Sequence, residues 1–156
     1  ALINLVFKWW LRGVKVGRYC VIDKDVEIHA GTVINNYVEL RAGTRIGKNC
    51  YIDSKVCITG DAFIGDNVTL RNDVVVARGS MINDNTFIAP KVMFNNLDSG
   101  GKTIGGAWIG RDCFIGTGTV LHHGIKITSG TIVGAMSFVN KDLKQGRYIG
   151  CPVKEM

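Results

Sequence analysis

Large apolar residues recur at every sixth position along most of the chain. The ladder runs Val16, Ile22, Ile28, Ile34, Leu40, Ile46, Ile52, Ile58, Ile64, Leu70, Val76, Ile82, Ile88 and Phe94, and after a break resumes at Ile109, Ile115, Leu121, Ile127, Val133 and Val139. Two residues before each rung stands a small or β-branched residue. That second ladder passes through Val14, Cys20, Val26, Thr32, Val38, Thr44, Cys50 and Val56, and ends with Thr119, Ile125, Thr131 and Ser137. Two inward residues flanking one outward residue is the period of a short strand. One position earlier again, Gly31, Gly43, Asn49, Asp61, Asn67, Gly79, Asn85, Gly118, Gly124 and Gly130 supply residue types that tolerate positive φ. The pattern predicts strand, corner, strand, corner.

Six residues bury too little surface to be stable alone, so the units must stack on one another. Three strands closing a triangle use about 18 residues, and roughly seven such coils fit between Val16 and Val139. Every third rung then shares a wall, as Val16, Ile34, Ile52, Leu70 and Ile88 would. The fold class expected is all-β, a parallel β-helix, with Cys20, Cys50 and Cys113 as core filler on the small ladder.

The ladder loses phase between Phe94 and Ile109, where Asn95 to Thr103 (NNLDSGGKT) is polar and glycine-rich. This stretch predicts a loop over 95–103, with Ile104 as the missing rung. Loops thrown from a rigid scaffold are where function concentrates. The organisation expected is an N-terminal cap over 1–13, a β-helix over 14–140 carrying that loop, and a closing segment over 141–156. Leu2 to Trp10 is apolar nearly all round, which suits a plug over the open end of the prism. A second reading places residues 2–12 in peripheral contact with the inner membrane face, with Trp9, Trp10, Lys8 and Arg12 at headgroup level. The run is too short to span a bilayer.

Composition narrows the function classes. The 156 residues carry a net charge of +6, with Lys and Arg scattered rather than clustered, which argues against nucleic acid and suits a phosphorylated small molecule. Five cysteines without a CxxC pair point to a reducing cytoplasm.

Trp108-Ile109-Gly110, then Val133-Gly134-Ala135 and Lys141-Asp142, then the closing Gly150-Cys151-Pro152-Val153-Lys154, make the chain resemble the hexapeptide-repeat acyltransferases. The resemblance runs from about Val14 to the C-terminus. It implies a left-handed coil, a homotrimer, and an acyl-CoA donor, acetyl-CoA foremost, lying in the groove between neighbouring prisms without a metal. Outward apolar residues such as Val75 and Phe114 suit such an assembly. The short length and loop-bearing coil look most like enzymes that acetylate an amino or hydroxyl group of a sugar, either nucleotide-linked or a precursor of surface polysaccharide. In that setting Gly116, Gly134 and Ala135 would admit pantetheine, with Pro152 in the closing segment, and Lys141 and Lys154 would meet CoA phosphates.

Acyl transfer from a thioester calls for a base beside the nucleophile, and histidine suits neutral pH. His122 and His123 occupy the corner after Leu121, about one coil beyond the loop. His123, next to Gly124, is expected to be the freer and the base. His29 lies several coils away. Asn95, Asn96 and Asp98 are the candidates for binding the acceptor or orienting a histidine. The loop itself holds no histidine, and an amine acceptor, bound unprotonated, needs a base less than a hydroxyl does. Two other readings are a non-catalytic β-helix scaffold or binding module, and a metal enzyme of the γ-carbonic-anhydrase type. The latter needs three histidines at a seam, two of them five residues apart, and adjacent His122-His123 does not give that spacing.

Overall fold

The computed structural model describes Trp9 and residues 12–156, and over that span the chain winds into a parallel β-helix of about seven turns. Its strands are two residues long, apart from the three-residue Arg147–Ile149, and lie on three walls. The first wall begins with Lys15–Val16, the second with Val21–Ile22 and the third with Glu27–Ile28. Register is in parallel throughout the coils. Lys15 faces Val33, Val21 faces Glu39 and Glu27 faces Arg45 on the coil above. The rung expected to share the first wall does so, through Ile34, Ile52, Leu70 and Ile88.

Both inward ladders are buried from Val26 onward, and the half-buried Val16, Cys20 and Ile22 pack against the core at its first coil. The small ladder has a further duty. Thr32 Oγ1 donates to the carbonyl of Gly47 at 2.7 Å, the Cys50 thiol to Gly65 at 3.0 Å, and Thr86 Oγ1 to Gly110 at 2.8 Å. Thr119 Oγ1 does the same with Gly134. A corner carbonyl that strand pairing leaves unpaired is thereby satisfied from inside the prism, which buried polar groups require.

Every Gly, Asn and Asp expected at a corner has positive φ, from 41° at Asp61 to 79° at Gly79. The same corner position is also filled by Tyr19, Tyr37, Lys55, Asp73, Lys91, Asp112 and Met136, all at positive φ, so stacking overrides the local preference there.

Across the excursion the 18-residue spacing grows to 27: Met81 pairs with Phe63 below and with Trp108 above, and Asn85 reaches Asp112. Nine residues are added, and no wall loses a strand. Ile104 is therefore not a rung. It is 46% exposed, and its N–H donates to the carbonyl of Asn96 at 2.8 Å where the excursion closes. The strands at Met93–Phe94 and Trp108–Ile109 are already consecutive, so no inward place was left for it.

The ends are closed by side chains. Trp9 is buried in the core cluster, and its carbonyl accepts from the amides of Arg12 and Val14. That burial corrects the placement of Trp9 at headgroup level; Arg12 is exposed, and Lys8 and Trp10 lie outside the described residues. At the other end Leu143 bridges to Ile127, Arg147–Ile149 extends the first wall, and Lys154–Glu155 folds back antiparallel on it. Leu143, Tyr148 and Val153 are buried by this closure.

Candidate functional site

The edge between the second and third walls carries the residues with chemistry. Leu121 turns inward at the end of its strand, and the amide of His122 is held by the carbonyl of Val139 on the coil above at 2.9 Å. His122 and His123 therefore occupy a corner, where neither side chain can enter the core, and Gly124 completes the turn at φ 65°. Both imidazoles are half-buried. Their ring centroids are 3.8 Å apart, and Phe138 from the coil above meets His122 edge-on at 6.0 Å. His122 is thus wedged between two rings, while His123 has one.

The excursion leaves and returns directly beneath this corner. The amide of Asn95 donates to Leu121 at 2.9 Å, and the amide of Gly124 donates to Gly105 at 3.2 Å. Asn95 and Asn96 consequently sit one coil below His122 and His123, as the spacing predicted. The loop is a small hairpin with an antiparallel bridge between Leu97 and Thr103. Its polar side chains shape it from within. Asn95 Oδ1 accepts from the amide of Leu97, and Asp98 Oδ1 accepts from the amides of Gly100 and Lys102. Asn96 Nδ2 donates to the carbonyl of Arg78 at 3.3 Å, tying the loop to the coil beneath.

Arg78 and Phe138 were not singled out from the sequence. The Arg78 guanidinium lies against Asp61 and the carbonyl of Thr59, bracing the corner under the loop. The signal for both was present: each stands 18 residues from a residue that was singled out or its strand neighbour, Arg78 below Asn96 and Phe138 above Val120.

Lys141 is exposed one coil above His123, next to Asp142, whose carboxylate accepts from the amide of Lys126 at 2.8 Å. The other residues expected to meet CoA lie on the edge between the first and second walls. There a Cβ on Gly116 would stand 2.5 Å from the nitrogen of Ala135 and 2.6 Å from the carbonyl carbon of Gly134. Close stacking of coils alone therefore requires glycine at 116. Pro152 closes the same edge, between Gly150, whose carbonyl accepts from Phe138, and Val153, whose amide donates back to Phe138. Lys154 pairs with Ile149 at the end of the first wall. One prism thus separates Gly116, Gly134, Ala135 and Pro152 from the histidine corner by a full wall. His29 is apart from both, exposed on the third edge beside Glu27, Arg45 and Lys48. Among the described residues, no group of three or more His, Cys, Asp or Glu is placed to hold a metal ion.

The family of bacterial transferase hexapeptide repeats matches residues 43–78 and 106–141, on either side of the excursion. Both matched stretches are hexapeptide repeats of that family. Curated protein sequences gave no match. Among solved structures, the chain is similar to a histidine-to-asparagine mutant of perosamine N-acetyltransferase from Caulobacter crescentus in complex with CoA and GDP-perosamine. The TM-score is 0.63 at 23% identity, over 99% of this chain and 63% of that one. It is also similar to the acetyltransferase domain of PglB from Neisseria gonorrhoeae FA1090 in complex with acetyl coenzyme A, with a TM-score of 0.63 at 16% identity, over 99% and 64%. A hexapeptide transferase family protein from Anaplasma phagocytophilum gives a TM-score of 0.62 at 21% identity, over 93% and 84%. At these identities the likeness establishes the coil, and the chain spans less than two thirds of the two acetyltransferase chains.

Proposed function

We propose that the chain is an acyl-CoA-dependent acyltransferase that acetylates an amino or hydroxyl group of a sugar. The observation that carries this reading is the pair of half-buried imidazoles stacked directly on the corner from which the excursion springs. A base is thereby held on a rigid edge beside a loop that can differ in shape without disturbing the core. The family match supports the transferase class, and the similar structures, solved with CoA, acetyl-CoA and GDP-perosamine bound, support thioester donor and nucleotide-sugar acceptor.

In this reading His123 accepts the proton of the acceptor as its oxygen or nitrogen attacks the thioester carbonyl, and the CoA thiolate departs as the tetrahedral intermediate collapses. His122, held between His123 and Phe138, fixes the orientation of its neighbour. Asn95, Asn96 and Asp98 act through the loop whose shape they hold, setting which acceptor fits.

The division of candidate residues between two edges supports a homotrimer. The Gly116–Gly134–Ala135–Pro152 edge of one subunit would face the histidine edge of the next, and acetyl-CoA would lie between them, its phosphates near Lys141 and Lys154. Phe63, Met81 and Trp108, stacked and exposed on the third wall, and Phe114 and Ile132 on the first, offer apolar surface for such contacts.

The test is release of free CoA thiol from acetyl-CoA with nucleotide-linked amino sugars and hydroxyl sugars as acceptors. Acceptor-dependent release that is lost in the His122→Ala/His123→Ala variant is the expected result. Absence of acetyl-CoA binding by calorimetry would refute the reading.

A further inference from the structure

The first coil is chemically lopsided. From Arg12 to Ile22 the chain holds three cations, Arg12, Lys15 and Arg18, and no carboxylate, whereas Asp23, Lys24 and Asp25 follow on the next edge and Glu27 on the third wall. Nearby acids are engaged with the second coil: Asp23 and Glu39 with Arg41, and Glu27 with Arg45. Among the described residues, no ion pair holds Arg12, Lys15 or Arg18, and all three are exposed.

Apolar and aromatic surface follows directly on Arg18. Val21 is 51% exposed, Tyr37 57% and Tyr19 73%, and the two tyrosine rings stack with centroids 5.1 Å apart at 18°. Both tyrosines sit at corner positions with φ of 57° and 58°, where the higher coils of the same edge carry Lys55, Asp73, Lys91, Gly118 and Met136. A bulky side chain in the left-handed region is strained, and the strain supports no buried contact here. In sequence this edge follows closely on the apolar run Leu2 to Leu11, which is interrupted only by Asn4 and Lys8.

We infer that the first-to-second-wall edge of the first two coils is a docking surface for an anionic bilayer, formed by Lys15, Arg18, Tyr19, Val21 and Tyr37. Tyrosine carries an apolar body and a polar tip, which suits the headgroup level. Clustered Lys and Arg are drawn to anionic lipid within a Debye length of the surface. On the next edge Asp23 and Asp25 stand with Lys24, and Asp23 pairs with Arg41, so cations are not in excess there. The histidine corner lies five coils further on, on the order of 24 Å from that surface by strand spacing. This inference is independent of the reaction catalysed.

The test is flotation of the full chain with vesicles of phosphatidylcholine alone and of phosphatidylcholine with phosphatidylglycerol. The expected result is binding to the anionic vesicles that weakens as salt rises. Lys15→Glu/Arg18→Glu should reduce partitioning at least tenfold, and Tyr19→Asn/Tyr37→Asn several-fold. Asparagine accepts positive φ, so the tyrosine variant should melt no lower than the parent. Partitioning equal to the parent in both variants would overturn the inference and leave the preceding apolar run as the only anchor. A lower melting temperature with unchanged partitioning would make the tyrosines structural and overturn it too. Failure of the parent to float with either vesicle, or saturable binding of a soluble glycan at the tyrosines in its place, would also overturn it.

Discussion

Gly124 donates its amide to the carbonyl of Gly105, so the returning end of the excursion is fastened to the corner that carries His122 and His123. The loop and the histidines are one assembly built over two coils. Removing residues 95–103 would restore the 18-residue spacing between Met81 and its partner Trp108, leaving Ile104, Gly105 and Gly106 as the corner. We expect that deletion to preserve the β-helix, with circular dichroism unchanged and the melting temperature within a few degrees, and to abolish acyl transfer. An unfolded deletion variant would show that the excursion supports the coil.

The six-residue period made most of this architecture legible, because each inward position meets the same neighbours on every coil and so admits the same residue types. The added nine residues were legible as a loss of phase. Ile104 was misread because a lone apolar residue near a break looks like a displaced rung, and periodicity cannot distinguish an added loop from a missing strand. The hydrogen bonds of Thr32, Cys50 and Thr86 to corner carbonyls escaped notice for a different reason. They join residues on neighbouring coils, and a list of small residues does not reveal which carbonyls lack partners. The histidine corner was legible in position. That Asn95 and Asp98 turn their side chains onto their own loop required the hairpin to be seen.

The inward ladders give a paired stability test. Ile64 is fully buried among stacked aliphatic rungs, and Ile64→Asp would leave a carboxylate without a partner, at about 3–5 kcal/mol. Cys50→Ser replaces the thiol that donates to Gly65 by a hydroxyl able to do the same, as Thr32 does for Gly47, and should cost about 1 kcal/mol or less. Denaturant melts of the two variants check the difference, and equal losses would refute the assigned phase.

Burial pushes the thiol pKa of Cys50 and of Cys113 upward. The native state therefore holds these protons to higher pH than the unfolded chain does. Their contribution to stability is complete below the unfolded thiol pKa, about 8.5, and is lost as pH rises from there through the raised folded values. Thermal melts across pH 7 to 11 should show stability falling on the alkaline side, less steeply in Cys50→Ser/Cys113→Ser. Identical slopes would assign the alkaline loss to other groups.

The histidine corner yields the sharpest kinetic prediction. His123→Ala removes a half-buried corner side chain whose one ring neighbour is His122, so folding and acetyl-CoA affinity should stay close to those of the parent. Turnover should fall by roughly 100-fold or more, the scale of lost general-base assistance. His122→Ala should cost less, because it removes the ring wedged between His123 and Phe138 and loosens the base without deleting it. His29→Ala, exposed on another edge, should leave turnover unchanged. The acid limb of the pH–rate profile should disappear in the His123 variant and persist in the His122 variant, which separates the base from its support. Full turnover in the double variant would show that the acceptor arrives already neutral. The reaction would then be N-acylation of an amine positioned by the loop that Asn95, Asn96 and Asp98 hold in shape.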